Sequence, residues 1–368
     1  MKIYHIVSNK EWGGGEQYVY DLCRRQQADG IEVSVFCKPI ESITRKYEEA
    51  GIKVIPLTLG GVLDINSAWK MATLINAAGE CIIHAHNFKD AFTAAYARKL
   101  SSNKQVQVVM CRHLTRTGKN SIHYRWLYRQ LDGICFDSEL SKETFLSTNP
   151  TIDLQKIRIV HTSIVVPDEI QQISLYKEFD IPKDHVVAMY HGRLDEEKGL
   201  DVLIEAVSML SDLRFMLILV GRGSNEYTSH LKSKIEEKSL TGKVILAGFR
   251  HPVLPYVSAA DFGILPSVVR EGCPLSPQEY MSQGHPVVAT DNGGQREYIR
   301  NGKNGLLVTP GDVDKLAAAI RQLISDEDCR HRLGRQAKED FDSHMNYEHF
   351  YTQIKSAYDY FKSRSRHS

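Results

Sequence analysis

The stretch Val186-Val187-Ala188-Met189-Tyr190-His191-Gly192-Arg193-Leu194-Asp195-Glu196-Glu197-Lys198-Gly199 decides how the chain is read. It opens with an apolar run of strand length, turns at Gly192, crosses a charged loop and leads into helical spacing over about residues 200–210. The same order stands at the N-terminus. There an apolar run at residues 3–7 is followed by Gly13-Gly14-Gly15 and by helical spacing through Val19, Leu22 and Cys23. The pattern therefore starts twice. Apolar runs at 33–37, 54–56, 82–84, 106–110 and 157–160 follow the first start. Runs at 215–220, 244–247, 262–265, 287–289 and 306–308 follow the second, with helical stretches between most of them. Such alternation implies parallel sheets covered by helices on both faces. The expected fold class is α/β, with two Rossmann-like doubly wound domains at residues 1–165 and 166–345. The stretch 163–184, with Pro167 and Pro182 and no clean strand, reads as the linker region. An aromatic-rich helix at 346–362 carries Phe350, Ile354, Tyr358 and Phe361. It lies beyond the last strand–helix unit, so it must pack on something already built.

A length of 368 residues suits about two domains. Hydrophobic residues at 42% and charged residues at 25% exclude a disordered chain. No stretch approaches the ~18 uninterrupted apolar residues of a membrane span. The N-terminus reads straight into a strand, so no signal peptide is expected. A net charge of +1 gives no reason to expect a nucleic-acid partner. That average hides a split of +5 up to Val165 and −4 beyond it. The seven cysteines are scattered and form no C-x-x-C pair. They read as small core residues in a reducing cytoplasm, with neither a disulfide framework nor a metal site. The polar, basic tail 363–368 is expected to fray.

Three loops carry the chemistry. Gly13-Gly14-Gly15 lets the backbone turn sharply and approach a ligand, and the helix start that follows suits a phosphate. It is not the dinucleotide fingerprint, because Tyr18 stands where a third spaced glycine belongs. Arg193 and Lys198 can neutralise a diphosphate between them, or can pair with Asp195, Glu196 and Glu197. Glu271-Gly272-Cys273-Pro274-Leu275-Ser276-Pro277-Gln278-Glu279 follows a strand and starts a helix. Residues 272–275 are expected to present successive backbone N–H groups. If the helix begins near Pro274, Glu279 stands almost two turns in, where a carboxylate can accept two vicinal hydroxyls of a ribose. Two solvated or salt-bridged glutamates are the plainer alternative.

In this order and spacing the motifs resemble retaining glycosyltransferase family 4, of the group 1 type. Gly192-Arg193 with Lys198-Gly199 resembles that family's G-R-x4-K-G segment, and Glu271 with Glu279 its E-x7-E motif. Pro286-Val287-Val288-Ala289-Thr290, Gly293-Gly294, Glu297, Gly305-Leu306-Leu307-Val308 and Pro310 resemble the run beyond it. The resemblance implies a GT-B fold, two Rossmann-like domains facing each other across a deep cleft, with the helix 346–362 packed back on the first. It implies an enzyme that moves a sugar, with retention and without a metal, from a nucleotide-diphosphate sugar to a glycan or lipid-linked glycan. The setting implied is bacterial cell-surface polysaccharide or lipopolysaccharide biosynthesis. Arg193 and Lys198 would stabilise the leaving diphosphate, and Glu279 would hold the ribose. Glu271 with Gly272, Cys273, Pro274 and Leu275 would grip the donor sugar, while Gly14 and Gly15 would close over the distal phosphate. His113 fits the family's histidine near the donor sugar, and His86, more than His84, a second pocket residue. No cofactor is implied beyond the donor, with a UDP-sugar favoured over a GDP-sugar.

Two departures stand out. His161-Thr162-Ser163-Ile164 replaces the family's Pro-Asn-Gly, and Gly221-Arg222-Gly223-Ser224 replaces Gly-x-Gly-Pro. Residues 105–131 hold no Asp or Glu, but do hold Arg112, Arg116, Lys119, Arg125 and Arg129. Aromatic and basic residues alternate on a helical stretch there, which suits reversible docking of residues 112–129 on an anionic membrane, or an ordinary solvated face. A cytoplasmic enzyme, peripheral on the inner face of the plasma membrane, is the expectation. A nucleotide-sugar 2-epimerase and a non-catalytic nucleotide-sugar-binding protein are the competing readings.

Overall fold

A computed structural model describes residues 1–365 of the chain. It forms two compact units, Met1–His161 together with the chain from Glu348 on, and Thr162–Tyr347.

The first unit is built on seven parallel strands: β1 (Lys2–Val7), β2 (Glu32–Cys37), β3 (Lys53–Pro56), β4 (Cys81–Ala85), β5 (Val106–Arg112), β6 (Gly133–Phe136) and β7 (Ile157–Ile159). Their order across the sheet is β3-β2-β1-β4-β5-β6-β7. Central strands β4 and β5 are buried along their whole length, which is why they read as unbroken apolar runs. Strand β6 escapes the periodicity reading because it is four residues long and begins with glycine. That glycine is required. A Cβ on Gly133 would lie 2.2 Å from the Phe361 ring, which packs directly on the strand.

Phe361 belongs to the closing helix, Tyr347–Ser365. This helix covers the first unit and is tied to it by polar contacts. Arg25 Nε meets Glu348 Oε1 at 2.7 Å, while Lys355 Nζ and the Tyr351 hydroxyl reach Asp29 Oδ2 at 2.8 and 3.0 Å. The expected frayed tail overlaps this helix through Ser365, and its last three residues lie outside the described residues.

The second unit repeats the plan with six parallel strands: β8 (Val186–His191), β9 (Phe215–Val220), β10 (Val244–Gly248), β11 (Phe262–Leu265), β12 (Val287–Thr290) and β13 (Leu306–Val308). The order is β10-β9-β8-β11-β12-β13. Alternate residues of β9 feed two cores, Phe215, Leu217 and Leu219 on one face and Met216, Ile218 and Val220 on the other. The stretch read as a linker is largely structural. Ile164, Leu175 and Ile181 are buried in the second unit's core, and a short helix, Leu175–Glu178, stands within it. The two doubly wound sheets carry the Rossmann order, the sheet plan of the GT-B fold. No helix among the described residues is long and apolar enough to cross a membrane.

The clasp around Asp29 has a pH signature. Lys355 first, then Arg25 and Tyr351, hold its carboxyl well below the ordinary carboxylate range. A depressed carboxylate contributes stability above its unfolded pKa and loses it as pH falls toward the folded one. Asp29→Asn is therefore expected to lower the thermal midpoint at neutral pH and to flatten the loss of stability below about pH 4. Thermal unfolding at a series of pH values checks this, and equal slopes for the two chains would contradict it.

Candidate functional site

In the second unit the site begins where β8 ends. Strands β8 and β9 run into loops that touch backbone to backbone. A Cβ on Gly221 would lie 1.8 Å from the Gly192 carbonyl oxygen, and Leu194 N donates to Arg222 O at 2.9 Å. Gly199 stands at φ +69°, and a Cβ there would lie 2.1 Å from the Pro266 carbonyl oxygen. Only glycine lets the β8 loop come this close to the segment leaving β11. That approach carries Lys198 to Glu271, Nζ to Oε1 at 2.6 Å, and Ser267 Oγ donates to the same oxygen at 2.5 Å. The two charged side chains are only 17% and 16% exposed, so the pair is largely desolvated.

Arg193 behaves differently. Its side chain is 70% exposed and lies 2.7 Å from Asp195 and 3.8 Å from Glu197. The alternative pairing read from the sequence thus holds for Arg193, and the expected joint Arg193–Lys198 clamp is not assembled in this state. Arg193, Asp195, Glu197, Ser224 and Tyr227 line an open cavity of about 390 Å³.

Glu279 is the fifth residue of the helix Leu275–Ser282, little more than one turn in, which corrects the two turns expected. Its Oε2 meets His191 Nε2 in a very short contact. The Tyr280 hydroxyl donates to Met189 O at 2.9 Å and so accepts from His191 Nδ1 at 3.0 Å. The ring is thereby fixed, and Nε2 faces the carboxylate with one Glu279 oxygen left over. Between the two glutamates, Pro274 is the N-cap and has no N–H, so the expected unbroken row of donors reduces to Gly272, Cys273 and Leu275. The segment is pinned from several sides. Gly294 N donates to Glu271 O at 3.0 Å and the Tyr298 hydroxyl to Pro274 O at 2.7 Å. Gln278 Nε2 donates to Thr162 O at 2.9 Å, and Cys273 Sγ lies 3.5 Å from the same oxygen. Thr162, in the departure from Pro-Asn-Gly, thus anchors the start of this helix.

In the first unit none of Gly13, Gly14 and Gly15 adopts left-handed backbone, so the expected sharp turn is not what requires them. What they leave is open space: a Cβ on Gly14 or Gly15 would meet nothing within 4 Å. Both open the helix Gly14–Ala28, whose first turn also carries Glu16. The Glu16 carboxylate accepts from Gly13 N at 3.0 Å and from the Asn9 amide in a very short contact.

His113 follows β5 and packs edge-on against Tyr18, ring centroids 4.5 Å apart. Burial lowers its pKa to about 4, so it is neutral at pH 7, and its Nε2 is buried without a hydrogen-bond partner. His86 lies near it, rings 6.0 Å apart, and beyond His86 come His84 and His5. The His84 Nδ1 partner is the Tyr358 hydroxyl at 2.7 Å, and the His5 Nε2 partner is Gln26 Oε1 at 2.9 Å. His113, His86 and His84 are thus brought together as one imidazole cluster.

The basic stretch is smaller than its composition suggests. Arg112 is buried, with its guanidinium over the Phe88 and Phe145 rings at 4.8 and 5.1 Å. Tyr124, Trp126 and Tyr128 turn inward against Phe88, Phe92 and Tyr96. Arg116, Lys119, Arg125 and Arg129 stay exposed, beside Leu114 at 58% and Ile122 at 75%.

Sequence reasoning names His191, Thr162 and Tyr358 without giving them a place in a site, and passes over Ser267 and Tyr280 in the second unit and His5 and Gln26 in the first. His191 had a readable signal, a polar residue closing an apolar strand beside Gly192. Gln26 and Tyr358 had none, being 332 residues apart.

Residues 172–340 match the family model described as Glycosyl transferases group 1, and residues 12–166 match that described as Glycosyltransferase Family 4. The lipopolysaccharide core biosynthesis glycosyltransferase LpsE of Rhizobium meliloti is 33% identical over 162 residues, 44% of this chain and 46% of that protein. The lipopolysaccharide 1,2-N-acetylglucosaminetransferase of Salmonella typhimurium is 29% identical over 203 residues, 51% of this chain and 53% of that protein. The chain spans about half the length of these curated relatives. Among solved structures, Anabaena HepE in complex with UDP has the same fold, with a TM-score of 0.83 over 98% of this chain and 100% of that one, at 20% identity.

The Lys198–Glu271 pair should behave as a desolvated unit. Glu271→Ala leaves a cation without its partner and is expected to cost roughly 1–3 kcal/mol. The double substitution Lys198→Met with Glu271→Ala should recover part of that loss. Chemical denaturation of the two single variants and the double variant checks this, and strict additivity would remove the coupling.

Proposed function

We propose that this chain, a group 1 glycosyltransferase of GT-B fold, moves a sugar from a nucleotide-diphosphate donor to a glycan or lipid-linked glycan with retention of anomeric configuration. One observation carries the reading: two carboxylates eight residues apart, Glu271 and Glu279, are seated respectively on Lys198, from the loop after β8, and on His191, the last residue of β8. That arrangement lies within the stretch matching the group 1 model. UDP is the proposed nucleotide, supported by the UDP complex of the HepE structure. A lipopolysaccharide-type acceptor is supported by the names of the two curated relatives.

In this reading the free oxygen of Glu279 accepts the ribose hydroxyls. Glu271 and the N–H groups of Gly272, Cys273 and Leu275 hold the donor sugar. Lys198 and Arg193 meet the diphosphate, Arg193 by leaving Asp195 and Glu197. Their preorganised charge stabilises the leaving group, so the step draws on no cofactor and no metal. The bond from the sugar C1 to the phosphate oxygen breaks, and the acceptor oxygen bonds C1 from the same face. The acceptor proton passes to the departing phosphate oxygen. Taken by itself, the first unit offers the unpartnered Nε2 of His113, suited to a hydroxyl, and open backbone at Gly14 and Gly15, suited to a phosphate.

UDP at about 100 times its dissociation constant should stabilise the chain by about 2.7 kcal/mol, with GDP and ADP giving less. Turnover of a UDP-sugar should fall about 100-fold or more in Arg193→Ala and in Lys198→Ala, and donor affinity should fall in Glu279→Ala. Thermal-shift screening and steady-state kinetics read these out. Unchanged kinetics in all three variants would sink the assignment.

We further propose peripheral docking on the inner, anionic face of the plasma membrane through Leu114, Arg116, Lys119, Ile122, Arg125 and Arg129, with the protein otherwise cytoplasmic. Liposome flotation should show binding to anionic over neutral vesicles, weakened when Arg125 and Arg129 become Ser. Equal partitioning would remove the idea.

A further inference from the structure

We propose that His5, His84 and His86 form a tri-imidazole site for a divalent transition metal, zinc in the first instance, at the carboxyl-end half of the first unit's sheet. One imidazole nitrogen from each residue lies within 4.8 Å of the others, and no other group of three or more candidate ligands is found among the described residues. The backbone dictates the meeting. His5 and His84 are register partners on adjacent parallel strands β1 and β4. His86 stands two residues beyond His84, so alternation returns it to the same face. Three imidazoles on one face of a buried sheet are costly to leave without a purpose, because each brings a polar edge into the core.

The ring partners fit coordination. His5 Nε2 is held by Gln26 Oε1 at 2.9 Å, which leaves Nδ1 as a lone pair. That lone pair faces His86 Nε2 at 3.1 Å. His84 Nδ1 meets the Tyr358 hydroxyl at 2.7 Å; with Nδ1–H donating to that oxygen, Nε2 is the lone-pair nitrogen, buried and without a partner. A metal-bound histidine usually has its second nitrogen fixed by a carbonyl or similar group, and Gln26 and Tyr358 occupy those positions. Ligands about 2.0–2.1 Å from a tetrahedral zinc lie roughly 3.3 Å from each other. The His5–His86 contact is already at that spacing, and the His84 nitrogen has at most about 1.5 Å to close. Zinc then replaces the proton between His5 Nδ1 and His86 Nε2. That proton moves to His86 Nδ1, which is buried and unpartnered. Three neutral nitrogens leave a fourth position for water, reached from the side of half-buried His86. The site would lock the orientation of His86, whose ring stacks on that of His113. It is separate from the diphosphate chemistry proposed above, so the failure of one does not carry the other.

The test uses the untagged full chain, stripped with a chelator and titrated with zinc alone, with cobalt as the visible reporter. The expected result is stoichiometric uptake and an intense tetrahedral cobalt spectrum. Affinity should fall about 10-fold or more in His5→Gln and in His84→Gln, and also in Tyr358→Phe, which touches no metal but frees the His84 ring. A stripped wild-type chain that takes up no zinc overturns the proposal, whatever the variants do. So does zinc uptake that is the same in the chain with His5, His84 and His86 all changed to Gln. Circular dichroism of each variant separates lost ligands from lost fold, and Tyr358→Phe is the variant least able to disturb packing.

Discussion

A parallel sheet buried on both faces has nowhere to put polar chemistry except at its strand ends. Both units obey that constraint. In the first, β4 and β5 are buried throughout, and the candidate groups cluster at and just past the carboxyl ends of β1, β4 and β5. In the second, they follow β8 and β11. Everything else about the two sites is a matter of how closely those loops are allowed to approach. In the second unit glycine sets that distance. Gly221 against the Gly192 carbonyl and Gly199 against the Pro266 carbonyl admit no side chain, and the contact they permit is what seats Lys198 on Glu271.

The same electrostatic device recurs in both units. Each position suited to an anion is occupied by a carboxylate of the chain itself. Glu271 sits on Lys198, Asp195 and Glu197 sit on Arg193, and Glu16 folds back over the first turn of the helix behind Gly13. A bare cation in the largely desolvated Lys198 position would carry a large penalty, and the internal partner removes it. Anion binding is then an exchange, in which the incoming group must outcompete a carboxylate already in place. A group carrying more than one charge has the advantage in such an exchange, which favours a diphosphate over a simple monoanion. The exposed Arg193 pairs exchange most easily, because solvent already screens them.

Much of this was legible from the residues. Runs of apolar residues located nearly every strand, because strands buried on both faces have no polar alternation to obscure them. Strand β6 was missed because four residues beginning with Gly133 carry too little pattern, and the reason for that glycine lies in Phe361, far away in sequence. The loops bearing Arg193, Lys198, Glu271 and Glu279 were legible because their spacing is local. Which cation met which carboxylate was not, since Lys198 and Glu271 are 73 residues apart and their distance depends on the turn at Gly199. Arg112 shows the opposite error. Composition placed it on a basic surface, whereas the fold turned it inward onto two aromatic rings.

The first unit's polar cluster depends on the closing helix, far along the sequence from the histidines it meets. Tyr358 reaches His84, Tyr351 and Lys355 reach Asp29, and Phe361 seals Gly133. Without the closing helix, His84 would lose its Nδ1 partner and Gln26 its neighbour, and a row of imidazoles would stand open at the sheet. Buried polar networks are expensive when only partly satisfied. Strands β1 and β4 bring His5 and His84 side by side through backbone pairing, but the histidine cluster is complete only when the closing helix supplies Tyr358. Two contacts with separations above 270 residues thus decide the ring orientations in a site whose histidines all lie within the first 113 residues. The closing helix acts as a positioning element for that chemistry, and its aromatic face is the price the chain meets for building a polar cluster inside a buried sheet.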